Sequence, residues 1–173
     1  DMNAGHPVGG SPVTSKFVEL NLDEGSGDSA HNKGTSSIDG DMCNDASWTN
    51  EGKINKAVDL DGLNDYIQLS DNDLFDYTGQ DITYSFWFKS DPGETGGRII
   101  SKPWNGSGEY NYWFHWSGSG VDFRLDGTGG AQYLSTAQTL TQDTWYHLAL
   151  TIDSKTKTRT LYINGQQDNQ DTH

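Results

Sequence analysis

The chain has 173 residues, and 25 acidic against 11 basic side chains give it a formal charge of −14. Such a charge repels phosphate backbones and argues against a nucleic-acid partner; no run approaches the ~20 apolar residues of a membrane span, and the lone Cys43 excludes an internal disulfide or a cysteine-rich zinc site. Six Trp, eight Tyr and six Phe oppose disorder, while the abundance of Gly, Asp, Asn, Ser and Thr opposes long helices.

Residues 1–16 hold two of the four prolines and almost no large apolar group, and read as a linker or flexible N-terminus. FVELNL (17–22) alternates as a strand with one buried face. Residues 23–53 are polar and read as a surface excursion with one short strand near 46–49. Further strands are predicted at 56–62, 65–70, 82–90, 98–104, 110–117, 121–127, 131–140, 144–153 and 158–165. Turn signals separate them at Asp91–Pro92–Gly93, Asn105–Gly106, Gly118–Gly120, Gly127–Gly130 and Asn164–Gly165. About ten short strands without a convincing helix predict an all-β, antiparallel sandwich or barrel.

The segments NLDEGSGDSAHNKG (21–34), KAVDLDGLNDYIQLSD (56–71), ITYSFWFKSD (82–91), RIISKPW (98–104), DTWYHLALTID (143–153) and TLYINGQ (160–166) follow one another in an order that resembles laminin-G-like domains of the concanavalin A-like lectin/glucanase superfamily. The resemblance spans about residues 17–167, and the domain is expected to occupy 17–173. It implies a two-sheet jelly-roll β-sandwich, glycan or protein ligands, frequently a calcium ion, and an extracellular or cell-surface setting within a larger multidomain protein. Trp87 and Trp145 match family aromatics and are expected to pack; His147 matches a recurrent family histidine, expected as a hydrogen-bonded structural group. Family domains continue beyond the strand matching TLYING with two or more strands. Here only QQDNQDTH follows, so the jelly roll is expected to lack its last C-terminal strands, leaving an open edge that could dimerise or accept a strand of another protein.

Two clusters are candidate sites. DLDGLND (59–65) offers Asp59, Asp61, Asn64 and Asp65 as oxygen ligands for calcium, with Gly62 permitting close approach. Calcium in related jelly rolls sits near the exit of the first strand, which by resemblance adds Asp23, with Glu24 and Asp28 beside it. The plainer reading makes Asp59, Asn64 and Asp65 turn formers. In 110–116, alternation separates Tyr110, Tyr112, Phe114 and Trp116, read as core, from Asn111, Trp113 and His115, read as a ligand-facing row. Trp104 could flank that row, and Arg124 and Asp126 on the next strand could share its side. Sugars present flat C–H faces to aromatic rings and hydroxyls to Asp, Asn and Arg; the alternative for Trp113 is burial through size alone.

Paired catalytic carboxylates are not apparent: the strand motifs E-x-D-x-x-E and E-x-D-x-E of the superfamily's glucanases are absent, and no two of the five Glu share a strand. The resulting expectation is a non-enzymatic, lectin-like carbohydrate-binding module, calcium-stabilised. The competing readings are a calcium-stabilised adhesion or spacer module and, less favoured, a glucanase-type catalytic domain.

Overall fold

The computed structural model describes residues 16–102, 112–127 and 130–173. Nearly all of the expected linker, together with Trp104, Tyr110 and Asn111 and the turn at Asn105–Gly106, lies outside them. The chain divides into two compact units, up to Ser70 and from Asp71.

The first unit contains five short strands: β1 (Ser29–Ala30), β2 (Gly40–Cys43), β3 (Ser47–Thr49), β4 (Ala57–Asp59) and β5 (Tyr66–Leu69). They form an antiparallel sheet β1-β2-β5 and a β3-β4 pair. The polar stretch 23–53 therefore carries three strands rather than one. The expected strand at 17–22 is not formed; Leu20 alone bridges to Asn32. Leu22 has a positive φ of 58°, which ends extended backbone there. The Asn32 side chain also takes partners a neighbouring strand would have supplied. Its Oδ1 accepts from the amides of Glu19 and Gly34, and its Nδ2 donates to the Ser36 carbonyl.

The second unit opens on one turn of 3-10 helix (Asp73–Phe75), where the Asn72 side chain accepts from the Leu74 amide. Among the described residues eight strands follow: β6 (Ile82–Phe88), β7 (Gly97–Lys102), β8 (Tyr112–Trp116), β9 (Val121–Gly127), β10 (Gly130–Ser135), β11 (Tyr146–Asp153), β12 (Thr158–Ile163) and β13 (Gln166–Thr172). They make two four-stranded antiparallel sheets, β10-β9-β8-β7 and β13-β12-β11-β6. After β6 the chain leaves its sheet, builds the other as a meander, and returns so that β11 pairs with both β6 and β12.

The period of two decides which side chains lie between the sheets. Tyr112, Phe114 and Trp116 meet Val121, Phe123 and Leu125 on one side and Leu148, Leu150, Ile152, Leu161 and Ile163 on the other. Tyr84 and Phe86 cross the gap, with ring centroids 5.3 and 5.2 Å from Phe114. The core row expected within 110–116 is thus observed for Tyr112, Phe114 and Trp116. Trp87 departs from expectation. Its strand parity places it on the outer face of β6, 39% exposed, with its ring 5.2 Å from His147. Trp145 is half-buried.

The tail 166–173, expected to add no strand, forms β13 on the edge of β12. Asn164 and Gly165 both have positive φ, 51° and 80°, the backbone of a two-residue type I′ hairpin whose twist matches that of paired strands. The hairpin is further held by the Asn164 carboxamide, whose oxygen accepts from the His147 amide at 3.0 Å. No atom lies within 4 Å of a Cβ added at Gly165, so only its φ resists substitution. Gly165→Ala is accordingly expected to cost about 1 kcal/mol in denaturant unfolding.

β13 is polar because its partners are polar. Asp168 accepts from the Ala137 amide and the Gln138 side chain, and Asn169 donates to the Ser135 carbonyl at 2.8 Å. Asp171 forms a two-pronged ion pair with Arg159, which is 1% exposed. A second ion pair sits at the end of β7, where Lys102 reaches the exposed Asp71 at 2.6 Å and the buried Asp76 at 3.0 Å. Burial works against the Lys102 charge, but these two bonds outweigh it and hold the ammonium above the ordinary lysine range.

Candidate functional site

Counting outward from Phe114 and Phe123, alternation turns Trp113 and His115 on β8, and Asp122, Arg124 and Asp126 on β9, to the outer face of their sheet. The register aligns them in two rows. Arg98, His115, Asp122 and Ser135 stand side by side across the four strands, and Ser101, Trp113, Arg124 and Tyr133 form the next row. Of the residues expected to bind ligand, the fold thus brings Trp113, His115, Arg124 and Asp126 onto one face. Trp104 and Asn111 are not among the described residues.

Trp113 is not an open platform, since it is only 8% exposed. The guanidinium carbon of Arg98 lies 4.7 Å from its ring centroid and that of Arg124 5.6 Å. The rings of His115 and Tyr133 close on it at 5.5 and 6.0 Å, edge to face. Its indole Nε1 is buried with no hydrogen-bond partner among the described residues. Arg124 is oriented from its other end by Asp126, with Nε donating to Oδ1 at 2.7 Å.

The open ring on this face is Tyr133, 54% exposed and 5.4 Å from the Arg124 guanidinium. Tyr133, Arg98, Ser101 and Asp122 are members that sequence reasoning missed. For Tyr133 the signal was present, since Leu134 points into the core and its neighbour must point out. For Arg98 it was hidden. The pairing slips between Arg98 and Ile100, so one extra residue, Ile99, sits in a bulge. Simple alternation from Ile100 would put Arg98 inside, and the bulge reverses its side.

The expected calcium ligands lie in the first unit. Asp61 and Asp65 share a turn, but their oxygens serve backbone. Asp65 accepts from the amides of Asp45 and Asp61, and Asp61 from that of Leu63. Asn64 and Asp59 are exposed, and no bond joins Asp59 to that pair. Asp23 accepts instead from the Lys56 amide and the Asn55 carboxamide. Glu24 accepts from the His31 amide. Calcium needs six to eight converging oxygens, whereas no three His, Cys, Asp or Glu side chains gather for a metal among the described residues. The bonds of Asp61 and Asp65 are those of turn formers.

On the outer face of the other sheet, His147 Nε2 is 2.8 Å from Ser85 Oγ, and at the sheet's edge His173 Nε2 is 2.9 Å from the Tyr77 hydroxyl. Burial lowers both imidazole pKa values below the ordinary 6.5. The fold therefore favours the neutral rings. Their contribution is complete above pH 6.5 and is lost as the pH falls through the lowered folded values. The melting temperature is expected to fall between pH 7 and pH 5, and to fall less in the double variant His147→Gln/His173→Gln. Asp71, Asp81 and Asp153 are held below the ordinary 3.8 by hydrogen bonds, so their losses come at lower pH and do not confuse this window.

Residues 61–173 match the family model described as the concanavalin A-like lectin/glucanases superfamily. No curated protein matches the chain.

Proposed function

Because the chain belongs to the concanavalin A-like lectin/glucanases superfamily, we propose that it is a non-catalytic carbohydrate-binding module of a secreted or cell-surface protein, with its ligand on the outer face of β7–β10. The observation that carries this reading is the exposed Tyr133 ring beside Arg124, on a face that also presents Arg98, Ser101, Asp122 and Asp126. A face with an aromatic platform, planar donors and carboxylate acceptors suits a sugar, which offers a C–H face and a rim of hydroxyls. Its rigidity comes from below. Trp113 is packed, Arg124 is held by both Asp126 and Tyr133, and the strands themselves are buried on their inner side.

A hydrolase reading is less favoured by the same geometry. Asp122 and Asp126 are the two outward carboxylates of β9, four residues apart on one strand. That spacing is about 13 Å along an extended backbone, beyond the roughly 5–9.5 Å that separates glycosidase carboxyl pairs.

Affinity electrophoresis against a panel of neutral and acidic polysaccharides, followed by calorimetric titration of oligosaccharides from the positive ones, tests the proposal. Binding is expected, and Tyr133→Ala is expected to weaken it at least ~30-fold while leaving the thermal unfolding profile in place. Absence of binding across the panel, or binding indifferent to Tyr133, overturns it.

A further inference from the structure

The chain has only three arginines. Arg159 is buried and paired with Asp171, and Arg124 is paired with Asp126. Arg98 is exposed, stacked on Trp113, and among the described residues no carboxylate pairs with it. In a chain with 25 acidic side chains, an exposed guanidinium without a carboxylate is conspicuous. Its guanidinium carbon lies 4.7 Å from the centroid of a buried indole. An exposed guanidinium can receive a carboxylate or sulfate through two parallel hydrogen bonds. The neighbouring Trp113 Nε1–H is also buried with no acceptor among the described residues.

The geometry points to a ligand that bears an isolated anionic group, a carboxylate or a sulfate, on an otherwise neutral glycan, received by Arg98. The inference rests on the reading of the β7–β10 face as a sugar site and specifies the substrate class of that site. The anion must be sparse for a reason of charge. A single acidic group meets Arg98 at short range, where the remaining protein charge is screened over the ~8 Å Debye length of physiological salt. A densely charged polymer would run past Arg98 over a protein of net charge −14 and be repelled along its length.

The test uses matched probes titrated calorimetrically into the full chain. They are a uronate-containing oligosaccharide and its carboxyl-reduced counterpart, a singly sulfated oligosaccharide and its desulfated counterpart, and heparin as a dense polyanion. The wild type is expected to bind one acidic probe at least ~10-fold more tightly than its neutral partner, and more tightly than heparin; which acidic probe wins identifies the group. Arg98→Gln is expected to bring acidic and neutral probes level, the acidic probes losing more affinity than the neutral ones. Arg98→Lys is expected to recover only part of the preference, since an ammonium has the charge but not the planar fork. Equal affinity for acidic and neutral probes, with binding still weakened in Tyr133→Ala, overturns the anion and leaves the sugar face standing. Tightest binding to heparin overturns the sparse-anion claim. No binding to any probe overturns the sugar face and this inference together.

Discussion

Asp171→Ala is expected to destabilise the protein by about 3–5 kcal/mol in urea or guanidinium unfolding, the loss that follows when one partner of a buried ion pair is removed. Arg159 is 1% exposed and lies on β12 with its guanidinium carbon 5.9 Å from the Phe123 ring centroid of the facing sheet. Its Nε donates to Asp171 Oδ1 at 2.8 Å, its Nη2 to Oδ2, and its Nη1 to the Gln132 carbonyl at 3.4 Å. One side chain therefore ties β13, β12 and β10 together. Without Asp171 the positive charge stays buried with only a weak carbonyl contact. Replacing both partners, Arg159→Met with Asp171→Leu, is expected to recover most of the loss, because the cost lies in the stranded charge rather than in the missing attraction. Asp61→Ala, which removes a carboxylate that caps an exposed turn, is expected to cost no more than about 1 kcal/mol.

The second large effect is on binding. Tyr133→Ala is expected to weaken oligosaccharide affinity at least ~30-fold, the loss of about 2 kcal/mol that marks a central aromatic anchor. At 54% exposure the ring contributes little to the core, so the melting temperature is expected to stay near that of the wild type. Trp113→Ala would be a poorer probe. It removes a buried ring on which Arg98, Arg124, His115 and Tyr133 all rest, and it mixes lost stability with lost binding.

Much of the sandwich was legible because its inner strands alternate. Tyr84, Phe86 and Phe88 on β6, and Leu148, Leu150 and Ile152 on β11, declare both strand and buried face. The same parity already turned Trp87 outward; only the family resemblance suggested that it packs. What was not legible lacked apolar content. QQDNQDT contains no hydrophobic residue, and its role depends on polar partners that register alone brings near. Asp171 stands opposite Arg159, a pairing invisible without the hairpin. The Asn164–Gly165 dipeptide was the one signal for that hairpin. Similarly, β1 and β2 are hidden in a polar stretch, and residues 17–22 alternate as a strand but are bonded by the Asn32 loop.

The site was legible in part, for the same reasons. Alternation placed Trp113, His115, Arg124 and Asp126 on one side, and the structure keeps them there. It could not show that two arginines cover Trp113, because one of them reaches the outer face only through a bulge. The acidic cluster at 59–65 was legible as a cluster but not in its bonding, since the backbone amides that Asp61 and Asp65 accept from become visible only in the folded turn.

Carbohydrate binding on the outer face of β7–β10 is tested most directly by the affinity of one positive oligosaccharide for three proteins in parallel: wild type, Tyr133→Ala and Trp87→Ala. Trp87 is the natural control, an exposed tryptophan on the outer face of the other sheet. Loss of affinity in Tyr133→Ala with Trp87→Ala unchanged is the predicted result. Retained affinity in Tyr133→Ala with loss in Trp87→Ala would contradict the account and move the site to the β6–β11 face.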